Sequence, residues 1–286
     1  MGTYRNCYAL HASLRQALGD YSAAKVAGTD TFGGYNNDYL IEKINAAVRE
    51  LYALMVRRYP GLFLGESDLV GVNSVFTLPW DFGKLEWFKD NYGRKVHEIG
   101  EAQRRWADSD GSKRLYRRVG NTLVLDMAGI GLTYTLVYRK KPRDIHNGTA
   151  AGGGALSITL STSAPKVADY YNGMIVENIT KDWIDTISDY SAARVATIAA
   201  ETAATSDLYG LVPEIPEWSH FLIAPRAALM VRAEHPLVKR KPTNSDYQDY
   251  NNLVRTTLLE NAGPPGDQEV EELFLDFEPR AGAATY

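Results

Sequence analysis

Only one cysteine stands in the 286 residues, Cys7. That excludes an internal disulfide and any zinc cage built on thiolates, and leaves it as a small apolar side chain for burial. Long apolar runs are missing too. No stretch approaches the roughly 20 residues of a membrane span, so no membrane partner is expected. The opening MGTYRNCYAL has no basic segment leading into an apolar one, which argues against a secretory signal. Catalytic patterns are equally scarce. His11, His97, His146, His220 and His235 are scattered, with no two at metal-ligand spacing on one element. No G-x-S-x-G, H-E-x-x-H or P-loop pattern occurs. Carboxylate pairs such as Asp81 with Glu86, or Glu98 with Glu101, are spaced as on ordinary surfaces. The expectation is a chain without catalysis, metal or cofactor.

What is present is tyrosine, eighteen copies against eight phenylalanines, a residue that suits both sheets and half-buried interfaces. Charge is divided unevenly. Residues 1–149 carry 21 Lys/Arg and 16 Asp/Glu, a balance of +5, while residues 150–286 carry 10 and 19, a balance of −9. Such a split is compatible with copies packing head to tail.

Apolar spacing places the elements. In NNDYLIEKINAAVRELYALMVRRYPG, Leu40, Ile41, Ile44, Ala47, Val48, Leu51, Leu54 and Met55 form one helical face. Asn36, Asn37 or Asp38 can cap it, and Pro60-Gly61 ends it. An earlier helix is predicted over about 4–18, closed by Gly19. VAGTDTFGGYNN between them reads as a loop. From 62 to about 143 the pattern becomes short strands, notably VNSVFTLPWDF, NTLVLDM and LTYTLVYRKKP, with a turn at NYGR. HNGTAAGGGA reads as a flexible joint, and residues 156–212 then supply about five strands separated by turns. Helical periodicity returns in WSHFLIAPRAALMVRAEH and in TNSDYQDYNNLVRTTLLENAG. The fold expected is α+β: a bundle of N- and C-terminal helices, a strand region, and an inserted small antiparallel barrel or sandwich. Its segments are 1–149, 150–216, 217–262 and an extended arm, 263–286.

Two stretches are candidates for binding partners. The arm holds six carboxylates and no base over 267–278, interleaved with Leu273, Phe274, Leu275 and Phe277. So many large apolar residues close together suit a segment docked on another surface. The basic stretch RKVHEIGEAQRRWADSDGSKRLYRRVG offers Arg104, Arg105, Arg114, Arg117 and Arg118 as the complementary side. A net acidic chain lacks the field that accompanies nonspecific DNA binding, which favours a protein-facing role for this stretch.

In the order of its elements the chain resembles the head-to-tail adaptor (connector) proteins of tailed bacteriophages. The resemblance rests on the capped helix NNDYLIEKINAAVRELYALMVRRYP, on VFTLPWDFGKLEWFKDNYGRKVHEI followed by GNTLVLDMAGIGLTYTLVYRKKP, and on DYYNGMIVENITKDWIDTISDYSAARVATI. Together these cover about half the chain. The resemblance implies a homo-oligomeric ring of about twelve subunits beneath the portal protein. It further implies contact with a tail or nozzle protein, and genome DNA passing through the lumen without sequence-specific binding. The location implied is the head–tail interface of the virion. The alternatives are a carbohydrate- or receptor-binding virion protein using the inserted β module, and a hydrolase.

Overall fold

The computed structural model describes residues 6–27, 34–70, 75–79, 81–90, 92–98, 115–125, 133–235 and 240–261. The architecture is mixed α+β, with five helices and mainly antiparallel sheets among the described residues, none closed into a barrel. The chain forms two compact units: Met1–Leu54 with Arg143–Tyr286, and Met55–Pro142.

In the first unit, helix α1 spans Cys7–Leu18, three residues later than the periodicity implied. Asn6 sets its start, because the side chain accepts from the Ala9 N–H at 2.8 Å and satisfies a free donor of the first turn. Gly19 ends it in the left-handed conformation at φ 71°. A five-residue helix, α2, spans Ala23–Ala27 and had no periodic signal. Helix α3 spans Asn37–Arg58, and all eight apolar residues of its predicted face are buried. Asn36 receives the N–H of Asp38 at 2.7 Å.

After a 3-10 turn at Glu217–Leu222, helix α4 spans Ile223–Glu234. Pro225 sits in its first turn, where an N–H has no helical partner anyway, so the helix accepts it. Helix α5 spans Asn244–Glu260. Thr243 and Asp246 close its start reciprocally, the Thr243 N–H donating to Asp246 Oδ2 at 2.7 Å. Helix α1 packs on α4, and α4 on α5.

Seven strands accompany these helices. They are β8 (Asn147–Thr149), β9 (Gly152–Thr159), β10 (Ile175–Asn178), β11 (Trp183–Thr186), β12 (Asp189–Tyr190), β13 (Val195–Thr202) and β14 (Leu208–Leu211). One sheet has the order β11-β10-β14-β8 and the other β12-β13-β9. The expected flexible joint is strand instead. A Cβ on Gly153 would lie 2.5 Å from the Ala203 backbone, so this glycine makes room for a neighbouring chain segment. Nor do these strands stand apart from the helices. A Cβ on Gly210 of β14 would meet Asn6 Oδ1 at 2.8 Å and the Tyr8 nitrogen at 2.9 Å, because the start of α1 rests there. Asn45 of α3 brackets Ile145, donating to its carbonyl at 3.0 Å and accepting its N–H at 2.7 Å.

The second unit holds β1 (Leu64–Val70), β2 (Val75–Thr77), β3 (Phe82–Asp90), β4 (His97–Glu98), β5 (Leu115–Val119), β6 (Thr122–Leu125) and β7 (Thr133–Lys140). They form two sheets, β1-β7-β3 and β2-β6-β5-β4, the β4–β5 pair being parallel. Phe76, Phe88, Tyr116 and Tyr134 meet in a shared core, largely edge-on, as aromatic quadrupoles prefer. Much of the tyrosine goes into cores rather than onto surfaces. Tyr116, Tyr134, Tyr138, Tyr171, Tyr190, Tyr209 and Tyr250 are buried. Several hydroxyls find acceptors, as Tyr138 does on Asp81 at 2.8 Å and Tyr190 on the Pro165 carbonyl at 2.6 Å.

Candidate functional site

The predicted partner-binding residues divide sharply. Leu273, Phe274, Leu275 and Phe277 of the arm, and Arg104, Arg105 and Arg114, lie outside the described residues. Arg117 and Arg118 are adjacent on β5 and so point to opposite faces. Arg118 stands opposite Leu123 and lies 5.0 Å from the centre of the Phe82 ring, with Nε donating to the Gly120 carbonyl at 3.2 Å. Arg117 stands opposite Val124 on the other face. The two therefore do not form one basic patch.

The described carboxylates of the two sequence pairs are occupied. Asp81 accepts the Tyr138 hydroxyl, Glu86 pairs with Arg139, and Glu98 accepts the Tyr116 hydroxyl at 3.3 Å. Glu101 lies outside the described residues. Among the described residues no group of three His, Cys, Asp or Glu could hold a metal ion.

Two polar chains run through the first unit that sequence spacing did not reveal. In one, buried Arg15 donates from Nε to His11 Nε2 at 3.1 Å. Arginine can only donate, so His11 Nε2 is the acceptor and Nδ1 carries the proton. Arg15 also reaches Asp20 at 2.5 Å and the Tyr35 carbonyl at 2.8 Å, tying α1 to the approach of α3. Burial, and secondarily Arg15, holds the His11 pKa down to about 3. Cys7 lies at the base of this chain, its Sγ 3.4 Å from Asn147 Oδ1, and burial pushes its thiol pKa upward. A buried, protonated thiol is a packing residue.

The other chain looks at first like a nucleophile with its base. Exposed Ser163 places Oγ 2.9 Å from His146 Nε2, and His146 Nδ1 lies 2.9 Å from the Tyr209 hydroxyl. The hydrogen-bond inventory fits a structural tie instead. Tyr209 is fully buried and already accepts the Ser161 N–H at 2.9 Å, so its own proton goes to His146 Nδ1. His146 Nε2 then carries the ring proton and donates to Ser163. A donor cannot take the serine proton, so the trio fastens β8, β14 and the 161–163 turn together. Burial lowers the His146 pKa to about 4, which keeps the ring neutral.

Ser161 and Ser163 also line a cleft of about 690 Å³ in this unit, with Arg15, Lys25, Asn37 and Asn147. Its two cations both pair with Asp20.

The second unit offers exposed apolar surface. Leu62 and Leu64, Val70, Val75 and Val119 are exposed, Val70 to 69%. Strand β1 pairs with β7 over its whole length, and no described strand covers its other edge. At the far side of that sheet, no described strand pairs with β3 from Phe82 to Trp87. Beyond that, residues 94–96 turn back onto it, the Val96 N–H donating to the Phe88 carbonyl at 2.8 Å.

A scan against protein-family models finds no match to this chain, and a search of curated proteins finds none.

Proposed function

We propose that the chain is a structural adaptor of a tailed-bacteriophage head–tail junction, forming a ring beneath the portal and binding the tail or nozzle protein. DNA passes through its lumen. The observation that carries this reading is strand β1, whose Leu64 and Val70 stand 43% and 69% exposed on an edge that no described strand covers. Exposed apolar side chains on an open edge strand mark a surface that association covers. The order of elements that resembles the adaptor family supports the same reading. So does the use of His146, Asp81 and Glu86 as internal fastenings. In this reading the terminal helices form the bundle of each ring subunit, and the two sheets of residues 147–211 form a small sandwich directed outward or toward the tail. The arm residues Leu273, Phe274, Leu275 and Phe277 dock on a neighbouring subunit or the portal.

Native mass spectrometry of the full chain, alone and mixed with its portal protein, tests the proposal. A ring mass in either condition is the expected result. A monomer in both overturns it. A chain lacking residues 267–286 should keep its circular dichroism while losing ring formation or portal binding.

A further inference from the structure

The sheet β1-β7-β3 has edges of opposite charge. Along β1, Glu66 and Asp68 are exposed and the strand holds no base. Along β3 the exposed cation is Lys84. Lys89 stands over the Trp87 ring at 4.0 Å and opposite Lys95, which is itself exposed. The acids of that edge are already engaged, Glu86 by Arg139 and Asp90 by Arg94.

Resting on the ring reading above, we infer that β1 of one copy docks beside β3 of the next, joining the sheets of neighbouring subunits edge to edge. Three features of the sheet carry the inference. First, β1 and β3 both run antiparallel to β7 and so run parallel to each other. A ring built by small rotations keeps strand direction, so an incoming β1 arrives alongside β3 in that same parallel sense. Second, the register on β7 puts the charges on one face. Leu64 and Lys84 both stand beside Arg139, Glu66 and Trp87 beside Val137, and Asp68 and Lys89 beside Thr135. Lys95, the bridge partner of Lys89 on the residues 94–96 that cover this end of β3, shares that face, so the acids of an incoming β1 meet Lys84 and Lys95 on the same side of a joined sheet. Third, the like-edge alternatives are repelled. Two β1 edges bring four carboxylates together, and two β3 edges bring lysines together. Opposite edges attract and identical edges do not, which selects a head-to-tail contact over a two-fold dimer.

The test is charge reversal at exposed positions, with ring formation followed by native mass spectrometry over a concentration series and folding checked by circular dichroism. Glu66→Lys with Asp68→Lys should raise the concentration for half-assembly about tenfold or more, and Lys84→Glu with Lys95→Glu should do the same. A chain carrying all four changes should assemble to within about threefold of the original. A folded reversal variant that assembles unchanged overturns the edge contact while leaving the adaptor reading intact. Failure of the fourfold variant to recover overturns it as well. If the unaltered chain stays monomeric with and without portal, the adaptor reading falls and this contact with it.

Discussion

Acidification should destabilise the first unit through two histidines that the fold keeps neutral. His146 is sealed between Tyr209 and Ser163, and His11 faces Arg15 and Asn147. Burial holds the first to a pKa of about 4 and the second to about 3. An unfolded imidazole titrates near about 6.5. Both folded values lie below that, so between them the unfolded chain binds more protons and stability rises with pH. The contribution is nearly complete at pH 7 and is lost as pH falls through 6.5 toward 4 and 3. Between pH 7 and pH 5 each histidine removes about 2 kcal/mol, roughly 4 together. That is a large share of the roughly 5–15 kcal/mol by which folded proteins are stable. The depressed carboxylates Asp20 and Asp207 titrate below the usual carboxylate range, so they contribute little to this window. Urea unfolding at pH 7, 6 and 5, followed by circular dichroism, measures the effect in the unaltered chain and in a His11→Asn/His146→Gln chain. The double variant should start less stable but vary far less with pH. A loss under about 1 kcal/mol in the unaltered chain, or an equal loss in the variant, would refute the reasoning.

Two further outcomes follow from packing in the first unit. Gly210→Ala places a methyl 2.8 Å from Asn6 Oδ1 and 2.9 Å from the Tyr8 nitrogen, so it should cost about 1–3 kcal/mol in urea unfolding, and an unchanged midpoint would show that α1 is not seated on β14. Excising residues 152–212 with a short linker should leave an unfolded chain by circular dichroism, because α1 loses β14 and His146 loses both of its partners. A folded remainder would show these strands to be a separable insert.

The helices were legible in advance because their determinants are local. The face of α3 and the stop at Gly19 each lie within a few residues of the positions they control. Alternation and turn residues likewise disclosed most of the strands, and the single cysteine announced its burial. The five residues of α2 were too short to display a period. Glycine composition could not distinguish looseness from close approach, since what decides Gly153 is the backbone of Ala203, fifty residues away. Arg117 and Arg118 read as one basic cluster by composition, and strand geometry turned them apart. The Ser163–His146–Tyr209 trio joins three separated segments, and its chemistry depends on the proton of a buried hydroxyl that no spacing rule registers. The same holds for the charged sheet edges. Glu66, Asp68, Lys84 and Lys89 are plain in the chain, but only the pairing of β1 and β3 with β7 puts them on one face at opposite margins. Local order follows from neighbours in sequence, whereas the state of a buried proton or the charge of an edge depends on which distant segments the fold brings together.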